Sequence, residues 1–344
     1  MSLLPHLERV SDRQSLSSDE AAAAMQNILE GRASQPLIAA FLVAMRMKGP
    51  TVDELVGFAR AMRHMAVKVD VGGDGRALLD TCGTGGSGDG TFNISTIAAF
   101  VAAGAGVRVA KHGNRSYRSE CGSADLLESL GIDIAIPLEE SARAIREIGI
   151  GFFFAPAVHT AMRHAQSVRA ELKMRTVFNL LGPLTNPAGA TSQLVGAPSP
   201  EAAELMAGAL AALGLNHGFV VHGSDGLDEI TTTGQTLAFE IRDGHVERRK
   251  LEPSDFAVRH ASAADLEGGD QARNAEIARA VLSGARGPHR DIVLVNAAAA
   301  LVAADEVPTF LEGMAIATVS IDSGAARAKA EALARFTHSH RPPR

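Results

Sequence analysis

Segment 80–96 reads DTCGTGGSGDGTFNIST and packs five glycines into the eight residues 83–90. Glycine lets the backbone approach an anion closely and adopt positive φ. Asn93, Ile94, Ser95 and Thr96 fall where a helix begins, and there the free N–H groups and the helix dipole favour phosphate. The Ser95 hydroxyl suits a magnesium ion bridging such phosphates. The stretch matches G-x-G-x-x-G at Gly83, Gly85 and Gly88, a weak signal alone. A dinucleotide fold also wants an acid about 20 residues further on, where this chain has the basic VRVAKHGNR; a P-loop wants Lys-Ser or Lys-Thr, which is missing.

Segment 111–125, KHGNRSYRSECGSAD, is the second candidate. Lys111, Arg115 and Arg118 bring cations, Asn114, Ser116 and Ser119 bring neutral donors, and Ser123 is placed to cap the next helix. Two consecutive strand ends thus carry anion chemistry, one by backbone and one by side chain, which suits a substrate with two separated phosphates. In HGSDGLDEITTTG (222–234) the neighbours Asp228 and Glu229 can face one ion, and Mg²⁺ typically binds one or two carboxylates plus substrate phosphates. Asp225 is better placed to shape its Asp-Gly turn. His159, Arg163, Arg169 and Arg175 are candidates for a second anion, because a guanidinium grips a carboxylate with paired hydrogen bonds. A lone helical arginine is more often solvated.

The elements that must position these residues follow from periodicity and punctuation. The first 66 residues read as helices: Ser17 with Glu20 and Thr51 with Glu54 make capping boxes, Pro36 opens a helix, and Gly31 and Gly49 end two. Three short helices leave apolar faces for another segment or a second subunit to cover. After a break at 69–76, β-like runs at 77–81, 107–110, 132–135 (IDIA), 151–155 and 218–223 alternate with helical stretches. That pattern predicts a mostly parallel sheet with helices on its faces. Asp243-Gly244 turns a hairpin over 236–251. Roughly the last ninety residues are again helical. Ligands bind at the carboxyl ends of such strands, so the loops above are expected to converge.

Composition narrows the function. The 344 residues carry 33 basic and 39 acidic side chains, a formal charge of −6, which suits neither nucleic-acid coating nor an anionic membrane. There is no Trp and one Tyr, so no base-stacking platform is expected. No apolar run is long enough for a bilayer, and no secretory signal is evident. Two cysteines are too few for a disulfide framework and fit a cytoplasmic setting.

Together, the runs Asp80–Gly86, Thr91–Thr96, Lys111–Arg115, Gly122–Asp125, Arg175–Pro187 and Asp225–Glu229 resemble the anthranilate phosphoribosyltransferase family, with likeness over nearly the whole chain. The resemblance implies transfer of the 5-phosphoribosyl group from phosphoribosyl pyrophosphate to anthranilate in tryptophan biosynthesis, with release of pyrophosphate and a need for Mg²⁺. It implies a small all-helical domain (1–68, completed near 165–185) on a larger α/β domain (69–344) with a mostly parallel central sheet, and a homodimer. Carried over by position, Gly83, Gly86, Ser87, Thr91, Asn93, Ile94, Ser95, Thr96, the run Lys111, His112, Gly113, Asn114, Arg115, Ser116, Tyr117, Arg118, Ser119, and Ser123 would hold phosphoribosyl pyrophosphate. Gly83, Asn114 and Arg169, with His112 and His159 nearby, would hold anthranilate. Ser95, Asp228 and Glu229 would handle the metal.

Three departures from the family pattern stand out. Ser87 replaces an Asp, with Asp89 placed to take over its role. Arg118-Ser119 replaces a Ser-Ser pair, and Thr160 follows His159 where Pro is common. A pyrimidine-nucleoside phosphorylase would share the fold but needs no acidic metal pair. A non-catalytic nucleotide-binding relative fits poorly with the charge and the missing aromatics.

Overall fold

A computed structural model describes residues 2–73, 75–85, 90–116 and 120–340. Gly86, Ser87, Asp89, Tyr117, Arg118 and Ser119 lie outside the described residues. The first four helices are α1 (Leu4–Ser11), α2 (Ser18–Leu29), α3 (Gln35–Lys48) and α4 (Val52–Met65). Both expected capping boxes form. Ser17 Oγ accepts from Glu20 N at 3.3 Å while Glu20 returns a bond to Ser17 N at 2.8 Å, and Thr51 with Glu54 repeats the pattern. Glu54 is fully buried yet well supplied: it also accepts from Leu16 N and from Lys48 Nζ. Its carboxylate therefore ties α4 to the chain before α2 and to the end of α3, as a buried charge must be tied.

The second body is a seven-stranded sheet, ordered β3-β2-β1-β4-β5-β6-β7. Its strands are β1 (Leu78–Gly83), β2 (Arg108–Gly113), β3 (Ile150–Phe154), β4 (Ser192–Gly196), β5 (His217–Gly223), β6 (Thr236–Arg242) and β7 (His245–Leu251). The first five are parallel; β5, β6 and β7 pair antiparallel. The hairpin between β6 and β7 turns at Asp243 and Gly244, both at positive φ, which matches the twist of the strands.

The remaining helices are α5 (Ile94–Gly104), α6 (Ser123–Ser129), α7 (Leu138–Ile148), α8 (Ala155–Val158), α9 (Arg163–Leu172), α10 (Phe178–Leu181), α11 (Pro200–Ala212), α12 (Gln271–Leu282), α13 (Pro288–Ala303), α14 (Phe310–Asp322) and α15 (Ala325–Ser339). Alternation along the strands splits the core. Leu79, Leu194, Phe219 and Val221 face a layer with α5 and the C-terminal helices, whereas Cys82, Val195 and Val220 face α4, α11 and the N-terminal bundle. Helix α9 packs on α2 and α3, so a segment far along the chain covers part of the bundle's apolar face. No helix among the described residues is long and apolar enough to cross a membrane.

One expected strand fails to form, and one strand forms unannounced. The run at 132–135 forms no strand. Asp133 instead closes a turn on Ala135 N, and β3 takes the place beside β2; Ile132, Ile134 and Ile136 are buried without a ladder. The central strand β4 carries no sequence signal strong enough to announce it. It is five residues long and starts Ser-Gln, and Gln193 uses its amide on the Pro183 carbonyl at 2.9 Å.

Candidate active site

The carboxyl ends of β1, β2, β4 and β5 supply the loops that carry the candidate residues, as a parallel sheet requires. Strand β1 runs on to Gly83, two residues past the predicted end, and delivers the glycine loop. Helix α5 begins after Asn93, whose amide donates to Cys121 O at 3.0 Å and so ties the helix start to the loop after β2. Asn274 on α12 donates to Asn93 Oδ1 at 3.3 Å from the other side. Thr91 pairs with Glu267 in an isolated antiparallel bridge, and Gly268 N donates to Gly90 O. The exit of the glycine loop is thus clipped to the segment before α12. Ile94 and Thr96, both in the first turn of the helix, are buried.

The acidic turn after β5 comes to the same place. Ser95 N donates to Glu229 Oε1 at 3.1 Å, and the Ser95 hydroxyl also bonds Glu229. Asp228 is buried, and its Oδ2 lies so close to Gly83 that a Cβ there would stand 2.7 Å away. A Cβ at Gly196, the end of β4, would stand 1.7 Å from the Asp228 carbonyl oxygen. Both glycines are needed for this close approach. The turn is built from outside as well. Asp225 accepts from Leu227 N, Thr231 Oγ1 and Thr233 Oγ1, and Asn296 on α13 bonds both the N–H and the carbonyl of Ile230.

The electrostatics of this corner are unbalanced. Burial, and then Asp228 beside it, pushes the Glu229 carboxyl up to about 8. Lys111 and the Ser95 donors oppose that rise without cancelling it. Lys111 is only 3 % exposed, and its Nζ donates to Thr81 O at 2.5 Å. Desolvation lowers its pKa, with Asp80, Cys82 and Glu229 pulling it back up. The adjacent Asp228 and Glu229 carboxylates, one buried and one partly buried, are oxygen ligands suited to a hard divalent cation completed by phosphate oxygens, with the Lys111 ammonium placed for the phosphates rather than the metal. Among the described residues no group of three or more His, Cys, Asp or Glu side chains gathers for a metal, so such an ion would lean on its substrate for ligands.

The loop after β2 is organised by Asp125. It accepts from Gly122 N at 2.9 Å and Ser116 N at 3.2 Å, and pairs with Arg115 at 2.8 Å. Arg115 also forks onto Glu128 at 2.6 and 2.8 Å, so its guanidinium is turned toward α6. Gly122, not Ser123, is the N-cap of α6: the reciprocal bond comes from Asp125, leaving Ser123 in the first turn with its hydroxyl on Asn114 O at 3.1 Å. Gly113 ends β2 so close to Ser123 that a Cβ would meet Ser123 Oγ at 2.3 Å.

Below the loops lies a histidine pair. The His112 and His159 rings meet edge to face at 5.3 Å. Burial takes His112 down to about 3, with His159 adding to the fall, and takes His159 to about 4. Both imidazoles are therefore neutral at ordinary pH. His159 Nε2 lies 3.3 Å from Thr185 Oγ1. Arg169 on α9 stacks its guanidinium over Phe178 at 5.2 Å from the ring centroid.

Two residues outside the expected set organise this region. Asp80, fully buried on β1, accepts from His112 N at 3.1 Å and from Asn186 Nδ2 at 2.8 Å. Asn186 donates also to Ala110 O. The signal for Asp80 was a lone acid inside an apolar strand, which only a buried network tolerates.

This architecture is shared with known proteins. Residues 4–66 match the helical bundle domain, and residues 75–327 the a/b domain, of the glycosyl transferase family. An anthranilate phosphoribosyltransferase of Solibacter usitatus is 72% identical over 339 residues, covering 98% of this chain and all of that one. One from Moorella thermoacetica is 52% identical over 337 residues, 98% of this chain and 99% of the relative. The crystal structure of the Thermus thermophilus enzyme superposes with a TM-score of 0.91 at 42% identity, covering 98% of this chain and all of that one. The Saccharomyces cerevisiae enzyme in complex with phosphoribosyl pyrophosphate and Mg superposes at 0.88 with 29% identity, covering 98% of each chain.

Proposed function

The chain belongs to the anthranilate phosphoribosyltransferase family, and from that premise we propose how its own residues carry the reaction. The enzyme moves a 5-phosphoribosyl group from phosphoribosyl pyrophosphate to anthranilate and releases pyrophosphate, a step of tryptophan biosynthesis. The bond from the ribose anomeric carbon to the pyrophosphate oxygen breaks, and a bond to the anthranilate nitrogen forms. Positive charge gathers on the sugar and negative charge on the leaving group, so stabilising the leaving group is the main demand.

We assign phosphoribosyl pyrophosphate to Gly83, Gly86, Ser87 and Thr91 of the glycine loop, to the α5 start at Asn93, Ile94, Ser95 and Thr96, and to the loop from Lys111 through Ser119 with Ser123. Asp228, Glu229 and the Ser95 hydroxyl would hold Mg²⁺. Bound Mg²⁺ neutralises developing charge on pyrophosphate. The observation that carries this assignment is the meeting of Ser95 with Glu229, which puts the acidic turn on the helix N-terminus. Lys111 anchors the end of β1 and lends positive charge to the same corner.

Anthranilate falls to Gly83, Asn114 and Arg169, with His112 and His159 forming a neutral wall. Its amine loses a proton only after attack, so orientation of the nucleophile supplies much of the rest and no strong general base is assigned. We further read the protein as a cytoplasmic homodimer joined through the helical bundle. Met47 on α3, 71 % exposed, and Leu4 on α1 support the dimer, and two buried cysteines that form no disulfide support the cytoplasmic setting. The activity is tested by anthranilate fluorescence, which should change with time only when phosphoribosyl pyrophosphate and Mg²⁺ are both present.

A further inference from the structure

A cleft of about 840 Å³ opens between the α2–α4 pair and the segment 185–189. Its lining leads into β1, β4 and β5 from their amino ends, whereas the substrate loops leave the carboxyl ends. Arg60, Arg63, His64 and Lys68 line it, together with apolar Met65 and Leu213, and among the described residues no carboxylate lines it. Arg63 is half-buried; its Nε donates to Leu184 O at 2.7 Å, and it has no carboxylate partner among the described residues. Burial alone pulls its pKa below the ordinary value, yet a guanidinium stays charged. Lys68 is exposed and likewise has no acidic partner among the described residues. Arg60 meets Asp19 at 3.1 Å, but both are more than half exposed, where such a pair is weak.

We propose that this cleft is a second anion site, separate from the substrate site, and that it takes a small phosphomonoester. Three permanent cations face one rim carboxylate, so the cleft calls for a dianion rather than a monoanion. A desolvated cation left without an anion is costly, and a bound phosphate offsets that cost while Arg63 and Lys68 supply charge-assisted donors. The volume exceeds what a bare phosphate fills, and Met65 and Leu213 give the organic body an apolar wall.

The test is calorimetric titration of the full chain with glycerol 1-phosphate, in saturating pyrophosphate and Mg²⁺ so that the substrate site is filled. One equivalent is expected to bind, with affinity weakened about tenfold or more by Lys68→Gln and lost with Arg63→Gln added. Lys68 is exposed, so its variant keeps the fold; a thermal melt checks the double variant. Steady-state constants for phosphoribosyl pyrophosphate should stay within about twofold of wild type in both. No binding to the wild type, or binding that Lys68→Gln leaves unchanged, overturns the site. Inorganic phosphate binding as tightly as the ester overturns its assignment to a phosphomonoester.

Discussion

Ser95 N, in the first turn of α5, donates to Glu229 Oε1 at 3.1 Å, although 134 residues separate them in the chain. The helix N-terminus that would face a phosphate is thus met by a carboxylate from the loop after β5, two strands away along the same sheet edge. A helix dipole favours that charge, but burial and Asp228 outweigh it and hold Glu229 near 8. The corner is poised for a cation: without one, Glu229 keeps its proton at neutral pH.

A pH dependence follows for the protein without Mg²⁺. Between the unfolded value near 4.5 and the folded value of about 8, the folded state binds more protons than the unfolded one. Stability from this group is full below the lower value and is lost as pH rises through the upper one. The thermal midpoint of wild type relative to Glu229→Gln should therefore fall between pH 5 and pH 8.5. Added Mg²⁺ should reverse the fall. In activity assays the apparent Mg²⁺ affinity should improve with pH up to about 8, and Glu229→Gln should abolish that slope and cut kcat/KM by about 100-fold or more.

Gly83 and Gly196 make opposite tests of the same turn. A methyl at 83 meets the Asp228 carboxylate tip, which can swing; a methyl at 196 meets the Asp228 backbone, which cannot without moving the turn. Gly83→Ala should fold with a near-native midpoint and lose Mg²⁺ affinity about tenfold or more. Gly196→Ala should lose several kcal/mol, about 3 or more, in denaturant titration. Equal stability of the two variants would refute this packing of the turn.

Much of this corner was legible because its residues carry local signatures. Glycines, an Asn-Ile-Ser-Thr helix start and adjacent acids each mark a loop whatever the sheet around them does. The capping boxes at Ser17 and Thr51 are likewise self-contained. What escaped depends on tertiary context. Strand β4 is central yet short and polar at its start, and IDIA alternates like a strand but the place beside β2 goes to β3. The sequence reading gave the cap of α6 to Ser123, but the bonds that fix it come from Asp125, three residues after Gly122. The weight of Asp80 shows only once His112 and Asn186 are seen on its two oxygens.

Asp80 should behave as a structural keystone under the site. Asp80→Ala strands the His112 N–H and removes one partner of Asn186, and it leaves Lys111 without its buried counter-charge. Removing one side of a buried charged network typically costs about 3–5 kcal/mol. Denaturant unfolding should show a loss of that order. Asp80→Asn, which keeps the shape and one acceptor, should lose less than Asp80→Ala.

The histidine pair separates positioning from proton transfer. With His112 near 3 and His159 near 4, neither ring gains a proton above about pH 5. The kcat profile should carry no inflection from either between pH 5.5 and 8. His159→Gln, which retains a polar group for Thr185, should leave the shape of that profile unchanged. An acid limb that disappears in His112→Gln would instead make His112 a general base.

Arg169 is the residue on which anthranilate specificity is expected to rest. Its guanidinium lies over the Phe178 ring, and α9 is braced against α2 and α3, so the fork is preorganised. A bond from such a fork to a carboxylate is worth about 1.5–3 kcal/mol, so Arg169→Ala should raise the anthranilate KM by about 10- to 100-fold. The KM for phosphoribosyl pyrophosphate should stay within about twofold. Arg169→Lys should not restore the anthranilate KM, because an ammonium neither stacks flat on Phe178 nor presents paired donors. Steady-state fluorescence assays over both substrates distinguish these outcomes, and an unchanged anthranilate KM in Arg169→Ala would remove Arg169 from the acceptor site.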